Sequence, residues 1–104
     1  MGGAIRDAGD CLHVSGSMTL PDASALLTAG IAALAARSGG AGETVFDLTQ
    51  VEAVDSSAIA VIFAWLREAR RQGKHMRIVH PSTELLSLAD VYGVGELLPL
   101  RSEV

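Results

Sequence analysis

Apolar and polar residues alternate near the start of the chain with the period of two that is typical of strands. Leu12 and Val14 flank His13, and this pattern predicts a half-buried strand. Short apolar runs predict further strands in the middle and in the second half of the chain, and residues near Ile5 could add a strand before this one. The predicted strands lie near Ile5, at 11–14, at 44–48 and at 75–79.

Between the strands, apolar residues recur at the spacing that places them on one face of a helix. Three helices are predicted, over 23–37, over 56–72 and from Ser82 onward. Their apolar residues are, in order, Leu26, Leu27, Ile31 and Leu34; Ile59, Ile62, Phe63 and Leu66; and Leu85, Leu86, Leu88 and Val91. Gly30 is the main exception among the strong helix formers of the first helix, and Gly73 is the expected end of the second.

The order of these elements, ββαβαβα, alternates strands with helices over most of the chain. Strand–helix–strand units favour parallel pairing through right-handed crossovers. We therefore predict one α/β domain over 1–104, built on a mixed, mostly parallel sheet of about four strands. The glycine-rich stretch 38–42 is expected to be a flexible connector. A short apolar tail, 97–100, is expected either to pair at a sheet edge or to cover the core.

The composition fits a folded domain and narrows the classes of function. Hydrophobic residues make up 49% of the 104 residues and charged residues 19%, which allows a buried core. The net charge of −4 argues against nucleic-acid binding. The single cysteine, Cys11, excludes an intramolecular disulfide, and the sequence shows neither an apolar run of membrane-spanning length nor a secretory signal. We therefore expect a cytoplasmic protein that meets a membrane only through a partner.

The chain lacks the residue patterns of common enzymes and cofactor sites. None of its histidines, His13, His75 and His80, stands in a ligand-spaced cluster with a cysteine or a carboxylate, so no metal site is expected. Neither a Gly-x-Ser-x-Gly nucleophile elbow nor a glycine-rich phosphate loop occurs, so no cofactor is expected. A small hydrolase or transferase that uses Ser56 is the alternative from the enzyme class, and it lacks a recognisable general base.

The most informative residues are Asp55-Ser56-Ser57, which follow the strand at 44–48 and a polar loop and open the second predicted helix. Serine and aspartate are common helix N-caps, and a cap at Ser56 would stabilise the fold by about 1 kcal/mol. The same position suits a phosphorylatable switch, because the N–H groups at a helix N-terminus tolerate added negative charge. Both interpretations fit the sequence.

The second helix carries additional apolar residues beside its core stripe. Ala60, Val61, Ala64 and Trp65 form a strip of mostly small residues that begins next to Ser57. We expect this strip either to pack on another helix of the domain or to dock a partner, with a partly exposed Trp65 as the anchor. In the docking interpretation the partner-binding residues are Asp55, Ser56, Ser57, Ala60, Val61, Ala64 and Trp65.

Segments along nearly the whole chain resemble the STAS domain, the fold of bacterial anti-sigma factor antagonists. They are 14–16, 46–48, 54–58, the helix through Gly73, 76–79 and 91–94. The resemblance implies a non-enzymatic regulatory protein that binds a nucleotide-binding partner, an anti-sigma factor or related serine kinase. It also implies that this kinase phosphorylates the serine just after the aspartate, which is Ser56 here.

The chain is also similar to a second branch of this family, the small STAS subunit of Mla phospholipid-transport ABC systems. The similarity lies in the short length and in the segment 91–99, where a Tyr-Gly pair is followed by Leu-Leu-Pro. That branch implies a different partner, the ATPase subunit of the transporter. In that branch the hydroxyl residue at the position of Ser56 helps to hold this subunit and is not known to need phosphorylation. The sequence leaves both partners open.

Overall fold

The elements follow the predicted order of two strands and then alternating helices and strands. The computed structural model describes residues 3–36 and 43–100, so the predicted connector at 38–42 lies outside the described residues. The elements are β1 (Ala4–Asp7), β2 (Leu12–Met18), α1 (Leu20–Ala36), β3 (Glu43–Val54), α2 (Ser56–Arg71), β4 (His75–Val79), α3 (Thr83–Val91) and a 3₁₀ turn (Gly95–Leu97). None of the helices in the described segments is both long and apolar enough to cross a membrane.

The strands form one four-stranded sheet in the order β1-β2-β3-β4, so that strands adjacent in sequence are adjacent in the sheet. β1 pairs with β2 in antiparallel fashion, whereas β2 with β3 and β3 with β4 are parallel pairs. Each parallel pair needs a crossover connection, and α1 and α2 supply these connections. The mixed, mostly parallel sheet expected from the sequence is confirmed.

The helices cover one face of the sheet. Alternate strand residues turn to that face and are almost fully buried, such as Leu12, Val14 and Phe46. α1, α2 and α3 add buried residues to the same core. The strand residues between these positions, such as His13 and Asp47, lie on the opposite face and stay partly exposed. We call it the helix-free face, because none of the described helices packs on it. The burial of alternate positions is what the period of two in the sequence predicts.

β3 is longer than the sequence predicts. It runs to Val54, whereas the sequence predicts a polar loop after residue 48. The reason is that β2 continues to Met18 and pairs with this segment, across two register shifts. Gly16 has a φ of 82°, which allows the strand to pass through an irregularity where Ser-Gly-Ser suggests a break. The longer β3 carries the chain directly from the sheet to Asp55 and α2.

The C-terminal apolar tail both covers the core and pairs at the edge of the sheet. Leu98 is 6% exposed, so its side chain belongs to the core. The Ile78 amide donates a hydrogen bond to the Pro99 carbonyl at 2.8 Å, and Leu100 forms an isolated parallel bridge with Ile78. The tail therefore shields part of the edge of β4, whose backbone groups would otherwise face solvent.

Candidate functional site

Asp55 joins the starts of α1 and α2. It is the N-cap of α2, and its Oδ1 accepts a hydrogen bond from the Ser57 amide at 2.8 Å. Its Oδ2 accepts a second hydrogen bond, at 3.0 Å, from the amide of Leu20 at the beginning of α1. Burial alone would raise the pKa of Asp55, but these hydrogen bonds outweigh it and hold the pKa below its ordinary value. Asp55 is therefore a carboxylate at neutral pH and fixes the geometry of the junction.

Ser56 is the first residue of α2, and it is exposed. Its hydroxyl makes no hydrogen bond with any residue that the structure describes. The interpretation of Asp55-Ser56-Ser57 as a helix N-cap is confirmed, but the capping residue is Asp55, which accepts the bond from the helix, and not Ser56. The hydroxyl is thus accessible, beside N–H groups that favour negative charge.

An open groove lies beside Ser56, between the start of α2 and one side of α3. We call it the serine groove, and its lining residues are Val54, Asp55, Ser56, Glu84, Ser87, Leu88, Val91 and Tyr92. Val91 is 79% exposed and Tyr92 is 57% exposed, so the α3 side presents apolar and aromatic surface to solvent. Large exposed apolar side chains beside a polar group are typical of a protein contact site.

Sequence reasoning misses the α3 side of this groove. It assigns Leu86 and Val91 to the apolar stripe of α3, but both side chains are exposed. The core face of α3 is formed by Leu85 and Ala89, one turn apart, and the two exposed residues lie to either side of it. The signal that could have indicated a contact surface is Tyr92, an aromatic residue directly after a helix whose core face is already filled.

Trp65 belongs to the core. Its side chain is fully buried, and its ring stacks on Phe46 with the centroids 4.5 Å apart. The indole Nε1 donates to the carbonyls of Leu26 and Leu27 on α1, at 3.2 and 3.3 Å. The docking interpretation is therefore wrong for Trp65, and also for Val61, which is 4% exposed. For Trp65, the other expectation, packing on a helix of the same domain, is confirmed.

Gly30 explains how α1 comes close enough to cover Trp65. A Cβ atom at Gly30 would lie 2.0 Å from the indole Nε1, a distance that no side chain can adopt without displacing the ring. Glycine is otherwise unfavourable inside a helix, so its presence in α1 has a packing reason. In the sequence, Gly30 is the residue that indicates this close contact between α1 and α2.

The other predicted contact residues remain on or near the accessible part of α2. Ser56 and Ala60 lie one turn apart and are exposed, and Ala64 is partly exposed one turn further on. Ser57 is partly buried, and its amide is committed to Asp55. The exposed strip of α2 thus runs through Ser56, Ala60 and Ala64, and these positions stay predictions for partner contact.

A second group of chemically active side chains lies on the helix-free face of the sheet. Cys11, His13 and Asp47 place a sulfur, a nitrogen and an oxygen atom within 4.8 Å of one another. The expectation that no histidine belongs to a ligand-spaced cluster with a cysteine or a carboxylate is wrong for His13. The positions of these residues in the sequence do not indicate this group, because the parallel pairing of β2 with β3 is what brings Asp47 next to His13.

Known proteins are similar to the chain in sequence and in fold. The intermembrane phospholipid transport system binding protein MlaB of Haemophilus influenzae is 33% identical over 51 residues. This match spans about half of each protein, 49% of the chain and 49% of the relative. The structure of the unphosphorylated anti-sigma factor antagonist SpoIIAA gives a TM-score of 0.66 at 10% identity, covering 98% of this chain and 88% of that one.

A STAS domain protein of Planctomyces limnophilus, described as an anti-sigma-factor antagonist, gives a TM-score of 0.71 at 14% identity. It covers the whole of this chain, and 92% of its own length is matched. Identities this low show a shared fold. A family model described as "Mlab, STAS domain" matches residues 1–99, a range that includes every described element and the serine groove. The chain therefore belongs to the STAS domain family.

Proposed function

We propose that this protein is a non-enzymatic binding module that docks a nucleotide-binding protein at the serine groove. The partner that we favour is the ATPase subunit of a phospholipid-transport ABC system. Support for this partner comes from the sequence, since both the matching family description and the relative from Haemophilus influenzae refer to MlaB. The anti-sigma factor antagonists resemble the chain at much lower identity and support the fold alone.

The observation that carries the proposal is the exposed hydroxyl of Ser56 beside Val91 and Tyr92. A tyrosine offers a large, rigid contact area with few rotatable bonds, and such residues often anchor interfaces. The small side chain of Ala60 allows the partner to approach α2 closely. Once the partner excludes water, a neutral serine can form a hydrogen bond there, whereas an unpaired charge would be strongly unfavourable.

Binding of purified variants to the candidate ATPase subunit tests this function. Ser56→Asp should weaken binding at least about tenfold, because it places a charge in the contact. Tyr92→Ala should raise the Kd by about thirtyfold, the effect of losing an anchor worth about 2 kcal/mol. Ser24→Asp adds the same charge at an exposed serine of α1 and should bind normally.

Circular dichroism should show that all three variants are folded, since a helix N-terminus tolerates negative charge and Tyr92 is 57% exposed. Normal binding by both Ser56→Asp and Tyr92→Ala would mean that the contact lies elsewhere on the molecule. Weakened binding by Ser24→Asp to the same degree would mean that net charge, and not the serine groove, determines the affinity.

The second candidate partner is an anti-sigma factor or related serine kinase. It is favoured by one observation, the accessible and unbonded hydroxyl of Ser56 at a helix N-terminus. Incubation with such a kinase and ATP should place phosphate on the wild-type protein and none on Ser56→Ala. Ser57→Ala is the matched control and should still be phosphorylated. Phosphate on Ser57 would contradict the assignment to Ser56, and no phosphate on the wild type would contradict this function.

A further inference from the structure

A thiol, an imidazole and a carboxylate converge on the helix-free face of the sheet. Cys11 Sγ lies 3.5 Å from His13 Nε2, and His13 Nδ1 lies 3.7 Å from Asp47 Oδ2. All three residues are partly exposed, so that solutes can reach them. None of them lines the serine groove, so this group is separate from the proposed docking site.

The His13 ring has a polar atom that the fold leaves unsatisfied. Nδ1 is buried and makes no hydrogen bond with any described residue. Its distance of 3.7 Å to Asp47 Oδ2 is too long for an N–H···O hydrogen bond. Buried polar atoms normally have a partner, so this geometry points to a group that binds between the imidazole and the carboxylate.

Two hydrogen bonds from Thr49 orient the Asp47 carboxylate toward such a group. Its Oδ1 accepts hydrogen bonds from the Thr49 amide at 2.9 Å and from the Thr49 hydroxyl at 2.5 Å. Oδ2 is directed at His13 instead. A carboxylate oriented by such a hydrogen bond is typical of a metal ligand.

We propose that Cys11, His13 and Asp47 bind a divalent cation of the Zn²⁺ class. Thiolate, imidazole and carboxylate are the ligands that Zn²⁺ prefers, and donor atoms around a tetrahedral ion lie roughly 3.2–3.8 Å apart. An imidazole binds a given ion through one ring nitrogen only, so either the 3.5 Å separation to Nε2 or the 3.7 Å separation to Nδ1 applies, and each matches that spacing. With one donor atom taken from each residue, all three donor atoms lie within 4.8 Å of one another. A pair at the upper limit of 4.8 Å must close by about 1 Å, a small change for partly exposed side chains. Water supplies the fourth ligand.

Titration of the reduced, full-length protein with Zn²⁺ by calorimetry, and with Co²⁺ by absorption spectroscopy, tests the proposal. We expect one ion per chain and a thiolate-to-cobalt charge-transfer band. Cys11→Ser should remove the band, and His13→Gln and Asp47→Asn should each weaken Zn²⁺ binding at least about tenfold. Thr49→Val should keep the band and weaken binding about tenfold. His75→Gln, at an exposed histidine outside the group, is the matched control and should bind normally.

The proposal fails if the folded wild-type protein shows no saturable Zn²⁺ binding, or if Cys11→Ser binds Zn²⁺ as well as the wild type does. It also fails if no cobalt band appears while alkylation of Cys11 by iodoacetamide depends on His13. The three residues would then be a hydrogen-bonded thiol group without a cation. The wild-type titrations decide the question even where a variant does not fold.

Discussion

Asp55 and Ser56 are neighbours in sequence but contribute differently to the stability of the fold. The Asp55 carboxylate accepts hydrogen bonds from the amides at the starts of α1 and α2. The hydroxyl of Ser56 has no partner within the described part of the chain and faces solvent. Substitution of Asp55 should therefore change stability, whereas substitution of Ser56 should change only the chemistry of the surface.

Alanine substitutions at these two positions test this difference. Asp55→Ala should lower the free energy of unfolding by about 2 kcal/mol, the upper range for a lost N-cap, because two helix starts lose their acceptor. Ser56→Ala should lower it by less than about 0.5 kcal/mol, as expected for an exposed residue without contacts. Urea denaturation followed by circular dichroism measures both values. An equal cost at the two positions would mean that Ser56 contributes to capping.

Three carboxylates with lowered pKa values predict a loss of stability in acid. The pKa values of Asp47 and Asp55 lie below the ordinary 3.8, and hydrogen bonds from Arg71 and Gln72 lower the pKa of Glu68 from 4.5 to about 2. Each group binds fewer protons in the folded than in the unfolded chain. Its stabilisation is complete above the unfolded pKa and is lost as the pH falls through the folded pKa.

We therefore expect the free energy of unfolding to decrease from about pH 4 downward. Asp55→Asn should be less stable than the wild type at neutral pH but should show a shallower decrease, because one of the titrating groups is gone. Urea denaturation at a series of pH values measures the slope. Equal slopes for the variant and the wild type would show that Asp55 does not have a lowered pKa.

At the scale of elements, the contact between α1 and α2 determines which face of α2 is accessible. Trp65 lies between Phe46 of β3 and the backbone of α1 near Gly30. This packing fixes the rotation of α2 about its axis, and Ser56 and Ala60 consequently point to solvent. The absence of a side chain at Gly30 is thus a condition for the exposed strip on the opposite side of α2.

Gly30→Ala should lower the free energy of unfolding by about 2 kcal/mol. The added methyl group overlaps the indole, and overpacking of this kind typically costs about 1–3 kcal/mol. The better helix propensity of alanine, worth about 1 kcal/mol, offsets only part of that cost. Thermal and urea denaturation by circular dichroism give the difference.

The double variant Gly30→Ala/Trp65→Phe separates the steric effect from other effects of the alanine. Because phenylalanine is smaller than tryptophan, Gly30→Ala should cost less in the Trp65→Phe background than in the wild type. An equal cost in both backgrounds would show that the methyl group acts on something other than the indole.

At the scale of the whole molecule, the order of the elements and the mostly parallel sheet could be predicted, but contacts between side chains on elements distant in sequence could not. β4 spans His75–Val79 as expected, and Ser82 caps α3 as its position before Glu84 and Leu85 indicates. The burial of Trp65 could not be predicted from the sequence of α2 alone, because it depends on a glycine in a different helix. The meeting of His13 with Asp47 depends on strand register in the same way.

The complete burial of Trp65 gives the molecule a built-in optical probe of its core. Trp65 is the only tryptophan of the chain and is 0% exposed, so the folded protein should fluoresce at the short wavelength of a dry indole. Ser56 lies about two and a half helical turns away, so docking at the serine groove should leave the emission unchanged. A blue shift on docking would mean that the indole is wet in the free protein. Emission spectra can therefore distinguish variants that lose their partner from variants that lose their core.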